Sequence, residues 1–203
     1  MDKILLIGAG GHARACIDVI ENANEYEIAG LIEKDKSMIH ANLGYPIIGT
    51  DSDLENMRQK YSYALITVGQ IKSPEIRMKL YTLLKKLSFK QPFVISPKAY
   101  VSKHAKIGEG SIVMHGSFVN ANATIGNNCI LNNKSLIEHD AIIGNHCHIA
   151  TGAIINGEVS VGDKTFIGSG VITKQSISIG NNCVIGAGVV LKSDVEPNQI
   201  IKN

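Results

Sequence analysis

The sequence has little from which a covalent or metal-held framework could be built. Its four cysteines, Cys16, Cys129, Cys147 and Cys183, form no C-x-x-C pair and no Cys/His finger spacing. Neither a disulfide scaffold nor a metal site is therefore expected, and reduced thiols in a cytoplasmic protein are. Charge of one sign is scarce as well. Twenty lysines and arginines face eighteen acidic residues, scattered along the chain, which excludes the basic footprint of a nucleic-acid binder and points to a small anionic ligand. Long apolar runs are missing: the opening Met1 to Ile7 is too short for a secretory core and ends in glycines that a strand-to-loop turn explains. No segment approaches transmembrane length, so no membrane partner is expected. Aliphatic residues are plentiful, enough over 203 residues for one large or two small domains.

Two patterns meet near Pro92 to Pro97. Before them, Ile4 to Ile7 reads as a strand that runs into Gly8-Ala-Gly-Gly-His12. Helical spacing follows from Ala13 to Asn24 through Ala15, Cys16, Val19 and Ile20. A second apolar run, Ile28 to Ile32, ends in Glu33-Lys34-Asp35, and a third, Tyr63 to Val68, ends at Gly69. Helical patterning resumes from Pro74 to Leu87. Strands alternating with helices predict a parallel α/β sheet of the Rossmann type over residues 1–92, one compact half of such a fold.

Residues 93–203 follow a repeat. Counting by sixes from Val101 to Leu191 gives sixteen positions, of which only Thr173 is not aliphatic. Two places ahead of most lies a small residue, such as Ser111, Ala123, Cys129, Ala141 or Cys147. Glycine often follows the aliphatic residue, as at Gly108, Gly126, Gly144, Gly162, Gly168, Gly180 and Gly186, which suggests turns of positive φ. No helix has a period of six and no simple strand does, so each hexad is one flat side of a prism. Three sides make a coil, and about five stacked coils bury a core that no single coil encloses. Cys129, Cys147 and Cys183 differ by multiples of eighteen and should stack as buried fillers on one side.

Hexads such as Ile125-Gly-Asn-Asn-Cys-Ile and Ile179-Gly-Asn-Asn-Cys-Val resemble those of the hexapeptide-repeat acyltransferases. Over nearly its full length the chain is similar to the bacterial nucleotide-aminosugar N-acetyltransferases and the related sialic acid O-acetyltransferases. Gly8 to His12, Thr67-Val-Gly69, Ile95 to Val101 and Ile137-Glu-His-Asp-Ala-Ile-Ile-Gly144 carry the similarity. The resemblance implies a left-handed parallel β-helix, acetyl-CoA as co-substrate, and a homotrimer with its sites between adjacent prisms.

Gly8-Ala-Gly10-Gly11-His12-Ala13 carries alanine at the third glycine of a dinucleotide-binding fingerprint. It follows a strand, opens a helix and precedes Glu33 at the spacing of a ribose-binding carboxylate. Its backbone N–H groups and the helix N-terminus suit a pyrophosphate; a tight turn without ligand is the plainer reading. NAD competes for the signature, but no second mononucleotide-binding half is present. In the resembled family this unit holds the nucleotide of the sugar, which implicates Gly10, Gly11, His12, Glu33, Lys34 and Gly69.

His139 falls near a coil corner, exposed, with Asp140 beside it. Acetyl transfer to an amine needs a base for the attacking nitrogen, imidazole titrates in the right range, and a neighbouring carboxylate orients it. The alternative is a solvated histidine at a turn. The resemblance makes His139 the catalytic base, with Asp140 shorter than the glutamate found in relatives, and a backbone donor such as that of Gly157 would stabilise the oxyanion. His148 matches a histidine that contacts acetyl-CoA, although it takes an outward position filled by Ile142 and Ile154 in neighbouring hexads, where a satisfied histidine at a packed subunit interface would also fit. Gly157, Ser169 and Ala187 match residues lining the pantetheine groove. Asn132 is a candidate substrate contact, in a polar ladder with Asn133, Asn120 and Asn156. His104, His115 and His146 read as solvated or at interfaces. The chain stops at Ile200 to Asn203, where relatives continue into a Gly-x-Pro-Ala-Lys tail over CoA. The expected activity is N-acetylation of a nucleotide-linked 4-amino-4,6-dideoxy sugar. A sialic-acid-type O-acetyltransferase and a non-catalytic nucleotide-binding β-helix protein are the alternatives.

Overall fold

The computed structural model describes residues 1–34, 42–71 and 73–202; Asp35 and Asn203, named above, lie outside them. Four parallel strands, β1 (Asp2–Ile7), β2 (Tyr26–Ile32), β3 (Ile47–Gly49) and β4 (Tyr63–Ile66), form a sheet in the order β3-β2-β1-β4. Helix α1 (Gly11–Ala23) connects β1 to β2, α2 (Leu54–Met57) lies between β3 and β4, and α3 (Glu75–Lys86) leads from β4 to the repeat. The apolar runs of β1 and β4 are buried at Ile4, Leu5, Leu6, Ile7, Ala64, Leu65 and Ile66, as parallel strands covered on both faces require. Strand β3 and the short helices after it were not expected, because three residues are too few to show a period.

From residue 94 to residue 191 every hexad contributes a two-residue strand, and strands eighteen residues apart pair in parallel, as Leu136 with Ile154 and Ile137 with Ile155. The result is the left-handed parallel β-helix. Its first face carries seven strands from Val94–Ile95 to Ile200–Ile201, its second six from Tyr100–Val101 to Val190–Leu191, and its third five from Lys106–Ile107 to Ser178–Ile179. The helix thus exceeds the span from Val101 to Leu191. Ile95 extends the six-count upstream, and the last rung enters off the count after Val195 bridges Ile179. Three large aliphatics in a coil contribute about 1.5–3 kcal/mol each, well short of roughly 1–2 kcal/mol for each of eighteen ordered residues. A coil therefore persists only between its neighbours. Cys129, Cys147 and Cys183 are fully buried among the inward side chains of the first face.

The glycines after the aliphatic positions have a different purpose from the one expected. Positive φ falls three residues after each hexad position from Ile107 to Ile185, on residues such as Asn122, Asn128, Lys134, Asp140, His146 and Glu158 more often than on glycine. Gly108, Gly126 and Gly162 are required because the next coil lies against them: a Cβ at Gly126 would stand 2.7 Å from the carbonyl carbon of Gly144. Close approach, rather than backbone conformation, selects glycine there. The polar ladder is also relocated. Asn132 and Asn133 lie on the corner between the first and second faces, and Asn120 and Asn156 on the next. A continuous ladder runs instead along the corner between the third and first faces, where the carbonyl or carboxylate oxygens of Asn127, Asn145, Asp163 and Asn181 each accept a backbone N–H one coil down at 2.7–3.0 Å.

The three faces differ outside. Outward residues of the third are mostly polar: Lys106, Thr124, Ser160 and Ser178, with Ile142. The first is covered along its opening coils by α1, whose Ala13, Cys16, Ile17 and Ile20 pack with Val94, Ile112, Met114 and Ile130. The second presents Tyr100, Phe118, Leu136, Ile154, Ile172 and Val190, apolar at every rung, with Tyr100 and Val190 each 54% exposed. Single exposed apolar residues are common, but an unbroken column marks a surface meant to be covered.

Candidate active site

Two candidate centres result, and the chain keeps them apart. The first lies at the carboxyl ends of the sheet strands, where α/β folds bind ligands. A cavity of about 610 Å³ is lined by Gly8, Gly10, Gly11, His12, Glu33, Lys34, Asp51, Thr67, Val68 and Gly69 among others. All six residues expected to hold a nucleotide line it. Gly8 takes φ 110°, and a Cβ there would meet Val68 Cγ2 at 2.5 Å, so only glycine fits. Gly10 caps α1 without a side-chain hydrogen bond, and a Cβ on Gly10 or Gly11 would meet nothing within 4 Å. The side of the turn that a side chain would fill is therefore open, which leaves room at the helix N-terminus for phosphate oxygens. Glu33 ties down the approach to this turn, accepting the Ala9 N–H at 2.7 Å and the Lys34 N–H at 2.9 Å.

His12 brings no charge to the cavity. Burial, reinforced by Arg77 and His148, lowers its pKa to about 3, and its Nε2 is buried without a partner. Next to it is His148, with ring centroids 6.5 Å apart. His148 is buried, as expected of a satisfied histidine, but the interface is internal to the chain: Nδ1–H donates to the Gln70 carbonyl at 2.5 Å. That bond leaves Nε2 as acceptor, 3.3 Å from the Asn132 amide nitrogen. Burial lowers the pKa of His148 to about 4. The two expected contacts Asn132 and His148 are thus partners of each other, and His148 adjoins His12 of the cavity lining in its own chain.

Sequence reasoning missed what joins this unit to the β-helix. Arg77 is 1% exposed and has no carboxylate partner among the described residues. Its guanidinium donates to the carbonyls of Ile66 at 3.0 Å and Val68 at 2.7 Å, and to the Asn128 side-chain oxygen at 2.6 Å. Burial lowers its pKa to about 10, so it stays protonated at neutral pH. His146 adds to the seam through Asn128 at 3.0 Å and Tyr81. His115 bridges Ser96 at 2.5 Å and Asp18 at 2.7 Å. Asp51 was missed too, since it follows the unrecognised strand β3.

The second centre is the corner between the second and third faces. His139 is 55% exposed at its side chain, and its Nδ1–H donates to Asp140 Oδ2 at 2.8 Å. Asp140 holds the corner in left-handed backbone, φ 62°, and its other oxygen accepts from Asn122 Nδ2 at 2.7 Å. The hydrogen bond from His139 to Asp140 raises the histidine's pKa, and those from Asn122 and His139 hold Asp140 below its ordinary range. One coil on is Gly157, and a Cβ there would lie 2.8 Å from His139 Cε1 and 2.9 Å from Nε2. The imidazole rests on that glycine, and its Nε2 has no hydrogen-bond partner among the described residues. The Gly157 N–H makes no hydrogen bond among the described residues.

The remaining groove residues, Ser169 and Ala187, lie elsewhere. They are exposed one coil apart on the corner between the first and second faces, beside Gly170 and Gly188 in left-handed backbone. Within one chain, then, His148, Gly157 and the pair Ser169 and Ala187 do not meet, and the apolar second face separates the last two. No group of three His, Cys, Asp or Glu among the described residues forms a metal cluster, and no helix among them is long and apolar enough to cross a membrane.

A cavity over strand ends joined to a prism of hexads defines a transferase of the hexapeptide-repeat class. Residues 3–84 match the PglD N-terminal domain, residues 122–157 the bacterial transferase hexapeptide, and residues 158–193 the hexapeptide repeat of succinyl-transferase. In both its units the chain is similar to the sugar acyltransferases of this class. Perosamine N-acetyltransferase from Caulobacter crescentus, solved as a histidine-to-asparagine variant with CoA and GDP-perosamine, is 29% identical over 98% of this chain and 93% of its own, with a TM-score of 0.92. The acetyltransferase domain of PglB from Neisseria gonorrhoeae is 29% identical over 98% and 96%, with a TM-score of 0.90. Its complex with acetyl coenzyme A aligns at 28% identity over 98% and 94%, with a TM-score of 0.89. None of the curated proteins compared matches the chain.

Proposed function

We infer that the protein transfers the acetyl group of acetyl-CoA to the amine of a nucleotide-linked 4-amino-4,6-dideoxy sugar. Residues 1–92 hold the nucleotide and residues 93–203 perform the transfer. The observation that carries the reading is the His139–Asp140 pair laid over Gly157 on an exposed corner, beside an apolar face that needs a cover. Its support includes relatives whose structures hold CoA and an amino sugar linked to a nucleoside diphosphate.

Acetyl-CoA supplies an activated thioester. The protein's part is to move one proton and stabilise one charge. With Nδ1–H held by Asp140, Nε2 of His139 presents a lone pair and accepts the proton of the attacking amine; the raised pKa makes it the stronger base. The Gly157 N–H is available to the carbonyl oxygen as negative charge develops on it. Attack is direct, since Cys129, Cys147 and Cys183 are buried in the prism and offer no nucleophile.

A convex corner cannot exclude water by itself. Covering the second face with copies of the chain, in a homotrimer, brings the Ser169 and Ala187 corner of one protomer to the His139 and Gly157 corner of the next, and small residues there leave room for an extended pantetheine. The test is release of free CoA from acetyl-CoA against nucleotide-linked 4-amino sugars, their 4-hydroxy counterparts and free sialic acid. Release that depends on both amine and nucleotide is the expected result, with His139→Ala reducing turnover about a thousandfold. Release with a hydroxyl acceptor alone makes the protein an O-acetyltransferase. None with any acceptor leaves a binding protein.

A further inference from the structure

The cavity holds a carboxylate, that of Asp51, to which no described residue donates a hydrogen bond. Asp51 follows β3, the outermost strand on the Glu33 side, and the Val68–Gly69 turn follows β4 at the opposite edge of the sheet. Gly10 and Gly11 lie between them. A ligand laid across the strand ends with its diphosphate at the glycines has one end at Val68 and Gly69 and the other at Glu33 and Asp51. The Gly69 end adjoins the β-helix, because Gln70 bonds His148 and the His146 carbonyl there. The sugar must travel toward the β-helix, so the nucleoside occupies the Asp51 end.

The polar groups at that end are few. Both oxygens of Glu33 accept backbone N–H groups, which fixes the carboxylate as a rigid neighbour suited to ribose hydroxyls. Asp51 is partly buried and has no hydrogen-bond partner among the described residues. Burial and the charge of Glu33 push its carboxyl upward, with Lys34 opposing. Such a group gains most from a ligand that brings two donors. Guanine alone among the common bases offers two adjacent N–H donors, at N1 and the N2 amino group, matched to the two oxygens of a carboxylate. Uracil and thymine present one N–H between two carbonyl oxygens, which a carboxylate repels. Adenine and cytosine each bring only an amino group beside a ring acceptor.

We propose that Asp51 reads the base and that the sugar's carrier is guanosine diphosphate. This rests on the reading of the cavity as the nucleotide site. The test is calorimetric titration of the full chain with GDP, UDP and dTDP. The wild-type protein binds GDP at least about tenfold more tightly than the pyrimidine nucleotides, the discrimination of one good bidentate contact. Asp51→Asn keeps the shape but replaces one acceptor by a donor pair, which opposes the guanine amino group and matches the N–H and carbonyl of uracil. Its preference therefore reverses toward UDP, and Asp51→Ala loses preference without reversing it.

Equal or tighter binding of UDP or dTDP to the wild type overturns the proposal. So does an equal weakening of all three by Asp51→Asn, which would place the carboxylate on the shared ribose. If no diphosphate binds, the reading of the cavity falls, and the base assignment with it. Should a variant fail to fold, the wild-type ranking decides alone.

Discussion

The N-terminal unit and the β-helix solve the same problem, placing polar groups for a ligand, in opposite ways. In the first, strand ends and connecting turns curve around a concavity, so Gly10, Gly11, Glu33 and Gly69 face one cavity within a single chain. In the second, every rung points its large side chains inward, so the surface is convex and His139 is left on an open edge. The difference teaches where partners are needed: a strand-end cleft is complete by itself, whereas a prism has only corners and depends on a second surface to enclose its chemistry. The apolar second face beside His139 is where the proposed trimer would supply that surface.

The comparison breaks most severely if the second face is charged. Ile154→Arg should yield a monomer by sedimentation and abolish turnover, while nucleotide affinity in the N-terminal cavity stays at its wild-type value; activity retained in a monomer would show that one corner suffices. Gly157→Ala comes next, placing a methyl group within the radius of the His139 ring. A base displaced by about an ångström costs about a hundredfold in kcat, again with nucleotide binding unchanged. Asp140→Asn sharpens the account of the corner itself. Loss of the carboxylate lowers the His139 pKa, so the rise of kcat with pH, which follows loss of the imidazolium proton, should move to lower pH, with a plateau about tenfold lower. A pH limb that stays in place would remove Asp140 from the pair. The smallest effect is expected from Asn145→Ala, which deletes one rung of the corner ladder. About 1 kcal/mol of stability should be lost, read as a shift of a few degrees in melting temperature.

The two regions also differ in what their residues disclose before folding. A period of six, held through fifteen aliphatic positions, encodes the prism directly, and the corner position of His139 follows from its offset to Ile137. The purpose of the glycines did not follow, because a missing side chain looks the same whether φ or a neighbouring coil demands it; Gly126 is explained only once Gly144 is stacked beneath it. His148 was legible as an outward residue of its hexad but not as one covered by Gln70, since the repeat specifies a face and not what packs on it. In the N-terminal unit the glycine-rich turn stood out by composition. Asp51 and Arg77 did not, because the partners that give them meaning are contributed by β3, β4 and Asn128, distant in the chain.

The eighteen-residue register makes the β-helix a ruler. Arg77 pins the N-terminal cavity to the prism at Asn128, and Asp140, the neighbour of His139, follows Asn128 by two whole hexads. Inserting one complete coil between Asn128 and Glu138 would keep the direction of His139 and move it by one strand spacing, about 4.8 Å. Inserting a single hexad would turn it to another corner. The distance between the N-terminal cavity and His139 is therefore quantised: it can change only in steps of a coil, and on the proposed function any intermediate length of donor would be taken up by the ligand itself.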